Sequence, residues 1–129
     1  MSSIASTSSL YPALTHYFEG AKLTKTIDTV NCVNDLGKII FKSTDFPFIQ
    51  ATVNKCKSYL DRSFTPWQVR PLHLATLRGD TSLVDALITG GASPNSEDFK
   101  QHTPLDHAAM AGNLAMVNYL QARGANPNH

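Results

Sequence analysis

The sequence predicts an all-α fold in which short helices pair and the pairs stack into a helical solenoid. The first observation is an internal repeat, since residue types match at an offset of 33 residues between segments 66–98 and 99–129. The second is the spacing of apolar residues, which follows the helical period in both segments. The third is the placement of proline and glycine, which stand where helices begin and end. Together they predict two helix pairs in the C-terminal half.

Each repeat opens with a short helix. Pro71 and Pro104 stand at matching positions, and proline suits the first turn of a helix because no N–H donor is needed there. Thr103 is a candidate N-cap for the second of these helices, whereas Arg70 at the matching position offers no side-chain acceptor. The matched positions that follow are Leu72 with Leu105, Ala75 with Ala108, and Gly79 with Gly112. We therefore predict a helix from each proline to the glycine that ends it.

A second helix completes each repeat. Asp80 and Asn113 follow the terminating glycines and are natural N-caps. Gly91 and Gly124 end these second helices. Residues 92–102 are polar and contain a proline, which predicts an extended loop that reaches back to the next pair. The apolar stripes of the second helices are Leu83, Val84, Leu87 and Ile88 in one copy and Met116, Val117 and Leu120 in the other.

Two short signatures resemble those of a known family. Residues 69–75 read Val-Arg-Pro-Leu-His-Leu-Ala and residues 103–109 read Thr-Pro-Leu-Asp-His-Ala-Ala, and both resemble the ankyrin motif Thr-Pro-Leu-His-x-Ala-Ala. The resemblance implies an ankyrin-repeat helical solenoid with repeats at about 66–98 and 99–129. Asp106 replaces the family's histidine, which removes an imidazole that usually ties neighbouring loops. Gln68 and Gln101 replace its turn glycine, so we expect a distorted tip on each finger loop.

The first 65 residues predict a flexible tail over 1–9 and a helical capping region over 10–65. Residues 48–60 carry the clearest apolar stripe, and residues 27–41 fit a helical face, although a hairpin would also suit them. We favour a helix for 27–41. Two repeats are too few to bury their own apolar faces, so this region should pack on the first repeat as a cap. A degenerate repeat, with Val53 in the place of Val84, is an alternative interpretation of 48–60.

Composition excludes several classes of protein. Apolar residues make up 42% of the chain, charged residues 16%, and the net charge is +1, so neither a disordered chain nor a nucleic-acid partner is indicated. No signal peptide or membrane span is visible, which predicts a cytoplasmic protein, with secretion as an effector without a signal left open. Cys32 and Cys56 form no CxxC pair, so we expect buried free thiols in a reducing compartment.

The sequence predicts no catalytic residue, no cofactor and no metal ligand, and therefore not an enzyme. Cys56 lies on an apolar stripe and is expected in the core. The five histidines lack the spacing of a zinc site. His73 matches the structural histidine of the family, and a hydrogen-bonding role is expected for it.

Recognition of another protein is the function that the resemblance implies. In ankyrin-like stacks the variable positions of the first helices and the loop tips contact the partner, and no nucleic acid, membrane or small-molecule substrate is expected. One alternative is that the chain is the targeting part of a larger enzyme or bacterial effector, whose catalytic region lies in residues 1–65 or outside this chain. Another is a structural spacer. The residues predicted to bind a partner are Trp67, Val69, Leu74, Leu77, Arg78, Phe99, Lys100, His102, His107, Met110 and Ala111.

Overall fold

The computed structural model describes residues 10–23, 26–63 and 67–127, and the predicted tail over 1–9 lies outside these residues. Within the described ranges there are seven α-helices and no strand, so the predicted all-α class is confirmed. Single turns of 3₁₀ helix lie at Ile27–Thr29 and Lys57–Tyr59. The α-helices are α1 (Leu10–Tyr17), α2 (Cys32–Lys42), α3 (Phe46–Lys55), α4 (Pro71–Arg78), α5 (Thr81–Thr89), α6 (Pro104–Met110) and α7 (Leu114–Ala122).

Side-chain caps fix where most of these helices begin. Asn31 accepts hydrogen bonds from the N–H groups of Val33 and Asn34 at the start of α2. Asp80 and Asn113 cap α5 and α7, as the sequence predicts. The remaining helices with a capping side chain are α3, which uses Asp45, and α6, which uses Thr103. Local sequence therefore sets where these helices begin.

The helices stack as consecutive pairs. α2 packs on α4 and α4 on α6, while α3 packs on α5, so α2 and α3 take the place of one more pair ahead of the two predicted repeats. Residues 32–42 form a helix and not a hairpin. Residues 48–60, which we predicted as a single helix, form the greater part of α3 and then a 3₁₀ turn. The described part of the N-terminal region is therefore mainly helical, and its α2 and α3 pack on the first predicted repeat.

One hydrophobic core runs through all the pairs. Leu36 and Ile40 of α2, Leu74 of α4, Leu87 of α5 and Leu120 of α7 are each fully buried in it. Burial of one such side chain stabilises the folded chain by about 1.5–3 kcal/mol. Because a pair buries its apolar face only against its neighbours, the stability of each pair depends on the next.

A disulfide bond joins Cys32 to Cys56, and the expectation of free thiols is wrong. The two Cα atoms are 5.5 Å apart although 24 residues separate them in the sequence. The reason is the hairpin of helices, since Cys32 begins α2 and Cys56 follows the last residue of α3. Disulfides persist in oxidising surroundings, so the argument for a reducing compartment loses its basis. Cys56 is fully buried in the core, as predicted.

None of the described helices is both long and apolar enough to cross a bilayer. The longest, α2, has 11 residues, whereas a membrane-spanning helix needs about 20.

Candidate partner-binding surface

The loop that precedes α6 ends in a tight turn, and we call residues 98–102 the second finger loop. The N–H of Gln101 donates to the carbonyl of Asp98 at 2.9 Å, and the N–H of Asp98 donates to the carbonyl of His102 at 2.9 Å. These bonds place Phe99 and Lys100 at the tip. Gln101 has φ 64° and Gln68 has φ 56°, the left-handed conformation that glycine usually supplies. The expected distortion of the second tip is wrong, because glutamine adopts the conformation that this turn needs.

Asp98 anchors the second finger loop from within. Its Oδ1 accepts the N–H groups of Lys100 at 2.9 Å and His102 at 3.0 Å, and its Oδ2 accepts from Nε2 of His107 at 2.7 Å. The side chain is almost fully buried. Burial alone would raise the pKa of Asp98, but these hydrogen bonds outweigh burial and the pKa is lowered. The carboxylate therefore stays charged and holds the loop to α6.

His73 links the start of α4 to the same loop. Its Nδ1 accepts the N–H of Arg70 at 3.2 Å, so the ring proton is on Nε2, which donates to the carbonyl of His102 at 2.9 Å. Burial lowers the pKa of His73 to about 4, against the opposing effect of the bond to His102. His73 is thus neutral near pH 7, and its predicted hydrogen-bonding role is confirmed.

His107, like His73, holds the second finger loop by a hydrogen bond from its imidazole. The family's histidine position is held by Asp106, but the next residue along supplies an imidazole that binds Asp98. Asp106 has a different task, since its Oδ2 accepts the N–H of Thr103 while Thr103 Oγ1 accepts the N–H of Asp106. The imidazole of His107 therefore ties the second finger loop to the helix that follows it, which is a different contact from the tie between neighbouring loops that Asp106 was expected to remove.

His73, Asp98 and His107 bring their ligand atoms within 4.8 Å of one another, which raises the question of a metal ion. A metal on Nε2 of His73 requires the ring proton on Nδ1, where the N–H of Arg70 already donates. Metal-binding histidines almost always donate their other N–H, yet Nδ1 of His107 is buried with no hydrogen-bond partner among the described residues. The hydrogen-bond roles favour a structural network over a metal centre.

The predicted contact residues differ widely in exposure. Phe99, Lys100 and Ala111 are exposed, Phe99 with 48% of its surface accessible. Val69 and Leu74 are fully buried in the core, and His107 is 3% exposed beside Asp98, so none of these three can touch a partner in this conformation. Those three assignments are wrong because they were carried over from the contact positions of the family without regard to what each residue packs against in this chain. The others, which are half-buried, are Trp67, Leu77, Arg78, His102 and Met110.

Two of the half-buried residues have structural partners. Trp67 packs edge-on against Tyr17 of α1, with ring centroids 5.6 Å apart, and its carbonyl accepts the N–H of Phe99 at 3.0 Å. The guanidinium of Arg78 donates to the carbonyl of Ile40 at the end of α2 at 2.8 Å. Both residues therefore hold the stack together, and the exposed residues among the predicted contacts lie in the second finger loop and at the end of α6.

The sequence interpretation missed Asp98 and Arg70. An aspartate two residues before a turn position is a recognisable signal, because its side chain can accept main-chain N–H groups further along. Arg70 could not have been found this way: its guanidinium donates to the carbonyls of Asp61 and Glu97, which lie on separate loops. Only the folded chain brings those carbonyls together.

Comparison with known families agrees with the stacked pairs. A family model described as ankyrin repeats, in three copies, matches residues 40–129, which is 90 of the 129 residues. The chain belongs to the ankyrin repeat family. The matched range includes α3 and the turn that follows it. Ankyrin repeats are generally protein–protein interaction modules and are typically non-catalytic. Among curated proteins, none matches the sequence closely enough to count as a relative.

Proposed function

We propose that this ankyrin repeat protein is an adaptor or targeting module that recognises another protein through a fingertip surface, defined as Phe99, Lys100, Met110 and Ala111. The observation that carries the proposal is an exposed aromatic ring on a loop whose backbone is fixed from both sides. A structural spacer has no need of such a ring, whereas aromatic and methionine side chains are enriched in protein interfaces.

Fixation of the loop supports tight recognition. The Phe99 main chain is tied to Trp67, and the residue before it, Asp98, is tied to His107. The main chain that carries Phe99 is therefore held in one conformation, and binding costs less conformational entropy than it would if the loop were mobile. The ammonium of Lys100 lies 5.6 Å from the centre of the Phe99 ring. We expect a partner with an apolar pocket bordered by an acidic group.

Site-specific photo-crosslinking tests this proposal. One variant of the full chain carries a photoreactive phenylalanine analogue at position 99. A second variant carries it at position 114 on α7, where the native Leu114 is 71% exposed. We expect a protein adduct from position 99 that is lost when Lys100→Glu is added. The Leu114 position serves as the matched control for general stickiness. Equal adduct yields from the two positions would contradict the assignment of the fingertip surface. An adduct yield at position 99 that Lys100→Glu leaves unchanged would contradict it as well.

A paired binding experiment uses the partner so identified. Phe99→Ser with Lys100→Glu should weaken binding by about 30-fold or more, since loss of a hot-spot residue costs about 2 kcal/mol or more. Leu114→Ser removes a comparable apolar side chain and should leave affinity unchanged. Thermal unfolding of both variants should match the parent, because the replaced side chains are exposed. Unchanged affinity in the double variant would exclude the tip as the contact.

A further inference from the structure

We propose that the Cys32–Cys56 bond is a redox clasp, opened and closed by thiol–disulfide exchange at the sulfur of Cys32. The co-reactant is a small thiol or a dithiol protein. The state of the bond sets how firmly the first helix pair, α2 with α3, is held together. The inference is independent of partner recognition and rests on the positions of the two cysteines.

The two cysteines differ in exposure. Cys56 is fully buried in the core, whereas Cys32, at the first position of α2, is partly exposed. An attacking thiolate must approach the sulfur that it bonds to, and exchange rates depend on that access. Attack therefore takes place on Cys32, and the sulfur of Cys56 is the leaving group.

The exchange balances with a dithiol as reductant. Its thiolate forms a bond to the Cys32 sulfur, the bond to Cys56 breaks, and the departing electron pair on Cys56 takes a proton. The second thiol of the reductant then attacks its own mixed-disulfide sulfur and releases Cys32 as a thiolate, which is protonated. The chain gains two electrons and two protons, and the dithiol becomes a disulfide. The reverse sequence closes the clasp.

The bond acts at one end of the helix pair. Lys55 reinforces that end, since its ammonium donates to the carbonyl of Ile27 at 2.8 Å and to that of Val30 at 2.9 Å. The other end and the inner face remain packed after reduction, because Leu36 and Ile39 of α2 are fully buried. Reduction should thus loosen the pair without unfolding the stack.

The size of the effect follows from the closed loop. Cross-linking residues 24 apart removes freedom from the opened chain and should lower the equilibrium constant for opening of the pair by about 100-fold. By the same thermodynamic cycle, the folded chain should favour the disulfide over the thiols by about 100-fold more than the chain in urea does. Folding and oxidation therefore reinforce each other.

The first test locates the site of exchange. The oxidised full chain is treated briefly with reduced glutathione, quenched with acid and digested, and the peptides are weighed. We expect glutathione on Cys32 and a free thiol at Cys56. Glutathione found mainly on Cys56 would overturn the proposal. So would a starting protein that still has two free thiols after equilibration with oxidised glutathione.

The second test measures the looseness of the pair. Amide hydrogen exchange of α2 and α3 is compared between the oxidised and the dithiothreitol-reduced full chain, and we expect exchange about 100-fold faster after reduction. Cys32→Ser with Cys56→Ser is the matched control and should not respond to dithiothreitol. Identical exchange of α2 and α3 in both redox states of the unsubstituted chain would show that the bond is not a clasp.

Discussion

His107 of α6 donates a hydrogen bond from Nε2 to Oδ2 of Asp98 across 2.7 Å, and both side chains are almost entirely buried. Burial lowers the pKa of His107 more than the neighbouring carboxylate raises it, so the ring is neutral near pH 7. This pair connects the second finger loop to the helix that follows it. Several measurable properties depend on it.

Replacing His107 by alanine should destabilise the chain by about 3 kcal/mol, because the buried carboxylate of Asp98 loses a partner and a void remains. Urea unfolding at pH 7 measures the change in free energy of unfolding. The control is His16→Ala, whose side chain is 87% exposed and whose contact with Glu19 lies at the surface. Equal losses of free energy of unfolding in the two variants would show that the buried pair contributes no more stability than the surface contact.

Acid should destabilise the fold well before the carboxylates titrate. His73 has a folded-state pKa of about 4 and an unfolded-state value of 6.5, so the unfolded chain binds the proton more readily between these values. Stability contributed by neutral His73 is complete above pH 6.5, falls as the pH falls through this window, and is fully lost below about 4. The loss is about 3 kcal/mol. His107 adds in the same direction, since its pKa is also lowered.

Urea unfolding at pH 7, 6, 5 and 4.5 tests this slope. His73→Asn can still accept the Arg70 N–H but does not titrate, and its stability should vary less over the same range. Asp98 contributes at lower pH, because its pKa is lowered and its stabilising effect is lost only as the pH falls below the unfolded value of 3.8. A parent protein with constant stability from pH 7 to 4.5 would rule out a buried neutral His73.

Glycine at the left-handed positions should stabilise the chain. Gln68 and Gln101 have positive φ, which costs a residue with a Cβ about 1–2 kcal/mol. Glycine avoids this strain, but its greater conformational freedom in the unfolded chain offsets part of the gain in stability. We expect Gln101→Gly to raise the free energy of unfolding by about 1 kcal/mol, measured by thermal and urea unfolding. Gln50→Gly within α3 is the matched control and should lower it by about 1 kcal/mol. The same sign for both substitutions would contradict the left-handed assignment.

Deletion of residues 1–65 should abolish cooperative folding of the remainder. α2 covers α4, and Leu74 of α4 is fully buried, so the deletion would expose a core face that two helix pairs cannot compensate. Circular dichroism of the segment 66–129 during heating should show no cooperative transition. Deletion of residues 1–9 alone is the control and should melt like the parent chain. A cooperative melt of 66–129 would mean that the first pair is dispensable.

The repeats could be predicted from the sequence because their signals are local. The Pro71 and Pro104 helix starts and the Asp80 and Asn113 caps each depend on a few neighbouring residues, and all are present in the structure. The disulfide was missed because nothing in the spacing of two cysteines 24 residues apart reveals that two helices bring them together.

The exposure of the predicted contact residues was predicted least well, for a related reason. Burial of Val69, Leu74 and His107 depends on which neighbours pack against them, and those neighbours lie far away in the sequence. Leu74, for example, lies on α4, the helix against which α2 packs. Phe99, which the same reasoning selected, is exposed, because the tip of a tight turn has few neighbours of any kind.

The hydrogen bond from Phe99 N–H to the carbonyl of Trp67 joins two loops that belong to different repeats. If a partner binds the fingertip surface as proposed, the loop is already fixed before the encounter, and binding need not wait for it to rearrange. Binding should then follow a single exponential whose observed rate rises linearly with partner concentration. Differences in affinity among tip variants should appear in the dissociation rate.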